Sequence, residues 1–281
     1  MELRLFASTG VDLPIVGQGT WNVPEHGAEL SEAKRALQRG IELGMVHIDT
    51  AEMYGSGRAE EIVAEATAGV SRDGLFLTSK VLPSNAGYEG TLRACERTLN
   101  RLRTSYLDLY LLHWPSAHPI EETMRAFEKL VADGKTRFIG VSNFDVRELQ
   151  AAQAALRTER LVCNQVLYHL RERGIEAELL PYSRAQNVAI VAYTPFGRGR
   201  FAGSERGGIL AKVAAKHEKT MRQVILNWIV RDAAVFTIPK ASKVRHVEEN
   251  AGAAGWSLDA EDVAAIDRAF PMHYDGTLAT L

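Results

Sequence analysis

Between about residue 15 and residue 255, short apolar runs alternate with longer stretches in which apolar residues recur every three or four positions. No other feature limits the fold as strongly. The runs are Ile15–Thr20, Val46–Thr50, Phe76–Lys80, Leu107–His113, Phe138–Asn143, Val162–Val166, Ala189–Tyr193 and Val235–Pro239, eight in all. They are rich in Val, Ile and Leu on both faces, as strands covered on both sides must be. The stretches between them, among them Ala28–Leu43, Thr91–Leu102, Thr123–Leu130, Val146–Leu156 and Arg222–Arg231, have helical spacing. Helices in that position favour parallel strands joined by right-handed crossovers. Eight such units, with no linker and no low-complexity segment, point to an α/β fold: a single (β/α)₈ barrel domain over residues 1–281. An open doubly wound sheet is the alternative that the pattern leaves standing. Ahead of the first barrel strand, Leu3–Phe6 and Asp12–Pro14 flank Ser8-Thr9-Gly10, which predicts an N-terminal β-hairpin capping the bottom of the barrel.

Composition narrows the function. The 281 residues are 46% hydrophobic and 24% charged, with a net charge of −2. A surface for nucleic acid or for an anionic membrane carries an excess of Lys and Arg, and 33 of these against 35 Asp and Glu make none. No run approaches the roughly 18 apolar residues of a membrane helix. Met1-Glu2-Leu3-Arg4-Leu5 lacks the apolar run of a secretory leader, so a cytoplasmic location is expected. Two cysteines are no disulfide framework, and Cys95 shares helical spacing with Leu92, Leu99 and Leu102, as a core residue would. His, Asp and Glu do not cluster at ligand spacings such as H-E-x-x-H, so no metal is expected.

In barrels of this kind the active site is built where the strands end at their C-termini. Three apolar runs end there in an ionisable residue: Asp49, Lys80 and His113. Tyr54 follows in a loop turned by Gly55 and Gly57. Each has an ordinary explanation, as an ion pair at a rim, a satisfied buried histidine or a surface aromatic. Their joint position is what suggests chemistry. A phenol, with a pKa near 10, is a poor acid at neutral pH. An ammonium beside it lowers that pKa, and a carboxylate keeps the ammonium charged and in place. A histidine can orient a carbonyl oxygen. Such a set can donate a proton to an alkoxide as it forms, which suits carbonyl reduction.

With their neighbours, these residues resemble the aldo-keto reductase superfamily, from about Ile15 to Phe270. Gly19-Thr20-Trp21, Ile48–Gly55, Ser79-Lys80 and Leu111–Pro115 are similar to its catalytic motifs. Gly140–Phe144, Asn164-Gln165, Ala192–Pro195 and Ile238-Pro239-Lys240 are similar to its cofactor motifs. Any one is weak, and the match lies in their order at these strand ends. The resemblance implies an NADP(H)-dependent reductase with a tetrad of Asp49, Tyr54, Lys80 and His113, Tyr54 being the proton donor. It implies that Ser142, Asn143 and Gln165 hold the nicotinamide carboxamide and that Tyr193 stacks on the ring, bordered by Thr20, Trp21 and Asp49. Lys240 and Ser242 would meet the adenosine 2′-phosphate, with Ala241 and His246 beside them, and Glu249 and Asn250 the adenine. Thr194, Pro195, Phe196, Gly197 and Arg198 would continue the cofactor wall, with Arg198 or Arg200 near the pyrophosphate. Trp21, Tyr54, His113 and Trp114 would border a small carbonyl substrate. Many members are monomers, and a monomer is expected.

The sequence departs from the family in one place. Six residues after Lys240, where many members carry an arginine for the 2′-phosphate, stands His246, with Arg245 one step round the helix. A histidine is only partly charged at pH 7 and lacks the arginine fork, so weaker selectivity against NAD(H) is expected. Gly197-Arg198-Gly199-Arg200-Phe201-Ala202 fits the G-x-G-x-x-A fingerprint of a Rossmann site. That fingerprint opens a helix, whereas Gly203–Gly208 reads as more loop, so a loop over the pyrophosphate is the better reading. Asn164–Leu170 followed by Arg173-Gly174-Ile175-Glu176 is similar to bacterial members that reduce methylglyoxal and other small 2-oxoaldehydes. The tail Pro271–Leu281 is short, and because that loop helps close the pocket in the family, an open, permissive site is expected. Some proteins of this fold bind cofactor as regulatory or structural proteins without turnover, which is the alternative function.

Overall fold

All eight apolar runs form strands and lie side by side in chain order. The computed structural model describes residues 1–199 and 207–281. β1 (Leu3–Leu5) and β2 (Asp12–Pro14) make the expected antiparallel hairpin, with Leu3 opposite Pro14 and Leu5 opposite Asp12. The larger sheet runs β3 (Gln18–Gly19), β4 (His47–Asp49), β5 (Phe76–Val81), β6 (Leu107–Leu112), β7 (Thr136–Ser142), β8 (Leu161–Leu167), β9 (Ala189–Tyr193) and β10 (Val235–Thr237), each parallel to the next.

The sheet closes through the segment ahead of β3. Val16 bridges Thr237 and Gly19 bridges Lys240, both in parallel sense. The Gly17 N–H donates to Thr237 O at 2.8 Å, and the Thr237 N–H donates to Ile15 O at 3.0 Å. This excludes the open doubly wound sheet. It also explains why β3 is shorter than the apolar run predicts: residues 15–17 pair with β10, and Gln18–Gly19 pair with β4. Other boundaries move for local reasons. β7 stops at Ser142 because Asn143 takes a φ of 63°, and β9 stops before Thr194, whose φ is 54°. β10 stops short of Pro239, which has no N–H to continue a ladder.

The helices between strands are α1 (Gly27–Glu42), α2 (Arg58–Ala66), α3 (Tyr88–Leu102), α4 (Ile120–Ala132), α5 (Val146–Ala155), α6 (Leu179–Ala185), α7 (Gly207–Lys216) and α8 (Met221–Ile229), and α9 (Val244–Ala251) and α10 (Ala260–Ala269) follow the last strand. α5 and α8 open on capping boxes, Asp145 with Glu148 and Thr220 with Gln223, which satisfy the first free N–H groups. Cys95, Leu99 and Leu102 of α3 are buried, as their spacing predicts. Gly207 and Gly208 correct the sequence reading: they open α7 and do not prolong the loop. Leu210, Val213 and Ala214 bury one face of that helix, which outweighs the glycines at its start. Residues 200–206, including Arg200, lie outside the described residues. Among the described residues no helix is long and apolar enough to cross a membrane.

The hairpin plugs one end of the barrel. Phe6 is fully buried, and its ring lies edge-on 5.6 Å from that of Phe76 and 5.0 Å from that of Phe236, with His47 at 6.4 Å. These three partners stand at or next to the starts of β5, β10 and β4, so the opposite end, where the strands finish, is left open.

Gly17 is squeezed where the barrel closes: a Cβ there would lie 2.7 Å from the carbonyl oxygen of His47. Gly17→Ala is therefore expected to cost about 1–3 kcal/mol, the usual range for overpacking. A thermal melt beside the parent protein checks this; an unchanged midpoint would mean the closing strand has slack.

Candidate active site

β4 and β5 carry Asp49 and Lys80 to the open end of the barrel, and the residue after β6 is His113. Lys80 has no exposed surface and Asp49 has 1%. The Lys80 ammonium donates to Asp49 Oδ1 at 2.6 Å, to the Thr50 carbonyl at 2.8 Å and to the Tyr54 hydroxyl at 3.4 Å. The other Asp49 oxygen accepts from Gln165 Nε2 at 2.7 Å. Both charges of the pair are thus fully hydrogen-bonded, as buried ions must be. Burial works against the ammonium, but the charges of Asp49 and Tyr54 and the bonds to both reverse this and raise the Lys80 pKa. Burial also raises the Asp49 pKa, against the pull of Lys80.

Tyr54 opens a 3₁₀ turn, Tyr54–Gly57, in which Gly55, Ser56 and Gly57 have φ of 55°, 53° and 95°. Three left-handed residues in succession throw the chain back toward the barrel, and glycine adopts that conformation without steric cost. Behind the turn, Glu60 of α2 accepts from the Ser79 hydroxyl at 2.6 Å and from Arg101 Nε at 2.5 Å. Glu60 and Ser79 are fully buried, so α2 is tied to β5 one residue before Lys80. Lys80 pulls the Tyr54 pKa down as expected, but another influence outweighs it. Burial raises the Tyr54 pKa by more than Lys80 lowers it, and Lys80 spends its shorter bonds on Asp49 and Thr50.

The His113 ring lies 5.7 Å from that of Tyr54 and stacks on Trp114 at 4.0 Å and 20°. Burial, then the charge of Lys80, pushes its pKa down to about 2, so the imidazole is neutral. Asn143 Nδ2 donates to the His113 carbonyl at 3.0 Å, and Asn143 Oδ1 accepts from the Tyr193 hydroxyl at 2.7 Å. Ser142 Oγ donates to the Gln165 carbonyl at 2.8 Å.

A cleft of about 530 Å³ opens above this group. Thr20, Trp21, Asp49, Ser142, Asn143, Gln165, Tyr193, Thr194, Pro195, Phe196, Arg198 and Lys240, expected on the cofactor, line it together with Tyr54, His113 and Trp114, expected on the substrate. Ala241, Ser242, His246, Glu249 and Asn250 are not brought to its wall; they stand on α9 and the turn before it, and Gly197 is buried in a turn. Ser242 Oγ and Asn250 Oδ1 are buried without a hydrogen-bond partner. Gly19, Asn22, Met53, Gly199, Arg222, Ile238 and Leu281 also line the cleft. Gly19, Met53, Gly199 and Ile238 lie inside the motifs quoted above, and Asn22 follows one. Arg222 has a fainter signal, a cation in the first turn of a helix, where the dipole disfavours one. Leu281 has none, and its place in the wall means that the short tail still reaches the cleft.

His47, beneath this site, is held by burial and then by Lys80 at a pKa of about 3, with Nε2 3.2 Å from Thr78 Oγ1. His47 and His113 are thus neutral when folded and take up protons when unfolded. Their contribution to stability is complete above the unfolded value of about 6.5 and is lost as pH falls through the window below it, by about 1.4 kcal/mol per pH unit for each. In urea melts between pH 7 and pH 4, His47→Gln is expected to remove one histidine's share of the slope. An unaltered slope would show that His47 takes up its proton in the folded state.

The model of the Aldo/keto reductase family matches residues 15–270 of this chain. Methylglyoxal reductase YeaE of Escherichia coli (strain K12) is 43% identical over 277 residues, covering 96% of each chain. Glyoxal reductase of Bacillus subtilis (strain 168) is 40% identical, covering 92% of this chain and 89% of the relative. Among solved structures, an aldo-keto reductase from Klebsiella pneumoniae in complex with NADPH superposes with a TM-score of 0.93 at 40% identity, over 100% of both chains.

Proposed function

The chain belongs to the aldo/keto reductase family, and from that premise we propose that it reduces aldehydes or ketones to alcohols with NADP(H), small 2-oxoaldehydes such as methylglyoxal being its substrates. The observation that carries this reading is the buried Lys80 ammonium, fixed by Asp49 and the Thr50 carbonyl, 3.4 Å from the hydroxyl of Tyr54 in the cleft wall. The similarity to methylglyoxal and glyoxal reductases supports the substrate class.

The cleft residues fit a nicotinamide dinucleotide. Ser142, Asn143 and Gln165 offer amide and hydroxyl groups for a carboxamide, and Tyr193 offers a ring face in the same cleft. Ser242 Oγ, in the turn before α9, and Asn250 Oδ1, on α9, have no hydrogen-bond partner among the described residues and are available to a polar ligand at the adenosine end. When bound, the reduced nicotinamide supplies the hydride that the carbonyl carbon receives.

The chain's own residues do the rest. Tyr54 is protonated at neutral pH, as an ordinary phenol is, and burial moves its pKa further upward. Its hydroxyl gives its proton to the carbonyl oxygen as the C–H bond forms, which completes the alcohol and leaves a phenolate. Lys80 stabilises that phenolate by charge, and Asp49 keeps Lys80 charged and aimed. The phenolate then recovers a proton from water. Neutral His113 offers an N–H to the carbonyl oxygen and sets its orientation. Trp21, Met53 and Trp114 present apolar walls to the rest of the substrate.

Tyr54→Phe removes the acid and little else. Turnover of methylglyoxal, followed at 340 nm with NADPH, is expected to fall about 10²–10⁴-fold, the usual worth of a general acid, while the NADPH Kd from fluorescence quenching stays within about 2-fold. Undiminished turnover would take the proton-donor role from Tyr54. Binding of NADPH by the parent protein without turnover of any small aldehyde would favour the binding-only alternative.

A further inference from the structure

Arg222 stands in the first turn of α8 and lines the cleft with Lys240. Its guanidinium lies 4.9 Å from the centre of the Phe196 ring, another part of the cleft wall. Its Nε is 3.9 Å from Glu249 Oε2 on α9. After burial, its charge is the largest influence that lowers the His246 pKa. These contacts set Arg222 between the cleft wall and α9.

The fold does not explain why a cation should stand there. A positive charge in the first turn of a helix opposes the dipole. Its acidic neighbour is at the limit of ion-pair distance, and its side chain is 47% exposed, so that pair adds little to stability. Burial and three nearby cations, Arg222, Arg245 and Lys243, lower the His246 pKa, which makes it a weaker partner for an anion than an arginine in its place. An anion brought into the cleft would meet the cations Arg198, Arg222 and Lys240 of its wall.

We propose that Arg222 binds the adenosine 2′-phosphate of NADP(H) and makes this protein select NADP(H) over NAD(H). This rests on the reading of the cleft as a nicotinamide-dinucleotide site. The 2′-phosphate is favoured over the pyrophosphate because the neighbours of Arg222 are Glu249 and His246 of α9, whereas Arg198 lies over Trp21, 5.7 Å from its ring centre. The guanidinium fork matches a phosphate with two parallel hydrogen bonds, and its other face is supported by Phe196. The weak selectivity that a histidine at position 246 predicts is therefore replaced by strong selectivity, supplied from another helix.

The test is binding of NADPH and of NADH to the parent protein, Arg222→Ala and Arg222→Lys, measured by fluorescence quenching at low and high salt, with near-ultraviolet circular dichroism to verify the fold. Arg222→Ala is expected to weaken NADPH about 10-fold or more, as loss of a charge-assisted contact does, to move NADH by less than about 2-fold, and to flatten the salt dependence for NADPH. Arg222→Lys should fall between, keeping the charge without the fork. If Arg222→Ala weakens both cofactors alike, Arg222 serves the pyrophosphate or merely packs on Phe196, and the inference is overturned. It is equally overturned if neither affinity changes. A parent protein that binds NADH at least as tightly as NADPH, or binds neither, would refute the cofactor reading itself, whatever the variants do. A parent protein that prefers NADPH while Arg222→Ala keeps the preference would refute only the role of Arg222.

Discussion

A lysine ammonium with no exposed surface is the constraint around which the rest of this structure is arranged. Moving such an ion out of water costs several kcal/mol even after relaxation, unless partners replace the lost hydration. Here the replacements come from separate parts of the chain: a carboxylate from β4, a backbone carbonyl just after it, and a phenol from the turn beyond. The carboxylate needs a second donor, which comes from Gln165 on β8, 116 residues further along the chain. An open sheet would leave β4 and β8 well apart, so the charge pair requires the closed barrel. Closure in turn requires a strand narrow enough at Gly17 and Gly19 to pass between β4 and β10, where added Cβ atoms would meet carbonyl oxygens at 2.7 and 2.6 Å.

The same charge sets the protonation of its surroundings. Burial moves each neighbour toward its neutral form: His47 and His113 downward, Tyr54 upward. For the histidines the Lys80 charge adds to burial, and for the phenol it opposes burial. The outcome is one ammonium and one carboxylate amid neutral groups that can donate hydrogen bonds. A protonated phenol is the form that a proton donor must have before reaction, and a nearby ammonium counts most after the proton has gone. In the proposed transfer Lys80 would therefore have its main effect on the product and a smaller one on the resting acid.

What the sequence revealed and what it hid follow from the same physics. Asp49, Lys80 and His113 were legible because each ends an apolar run, and a polar residue in that position is seldom needed for packing. The hairpin, the strand order and helices α1, α3, α4, α5 and α8 were legible from periodicity. Helices α2, α6, α7 and α10 were not singled out, because their buried faces contain Ala and Gly or only a few large apolar residues, as in Ala59, Ile62, Val63 and Ala66 of α2, and such faces contrast weakly with their surroundings. The pull of Lys80 on Tyr54 was legible, but the larger opposing effect of burial was not, because spacing reveals a neighbouring charge but not the depth of burial. Leu281 was hidden because its place depends on the path of the whole tail.

The two parts of the cleft differ in solvent exposure, and that difference decides how well each can be read from sequence. Around Lys80 the two buried charges must find their partners inside the protein, so the solution is tight, few residue types satisfy it, and a motif records it. Around α9 the side chains of Arg222 and Glu249 stay in contact with water, and their pairing is loose at 3.9 Å. A cation that serves an exposed phosphate need only reach it, so it can be supplied by α9 or by the neighbouring α8 with little consequence for the fold. Position 246 taken alone is therefore a poor guide to charge at this end of the cleft. Charge there is shared among helix starts that converge only in the closed barrel, and a motif confined to one loop cannot register a guanidinium arriving from the next helix.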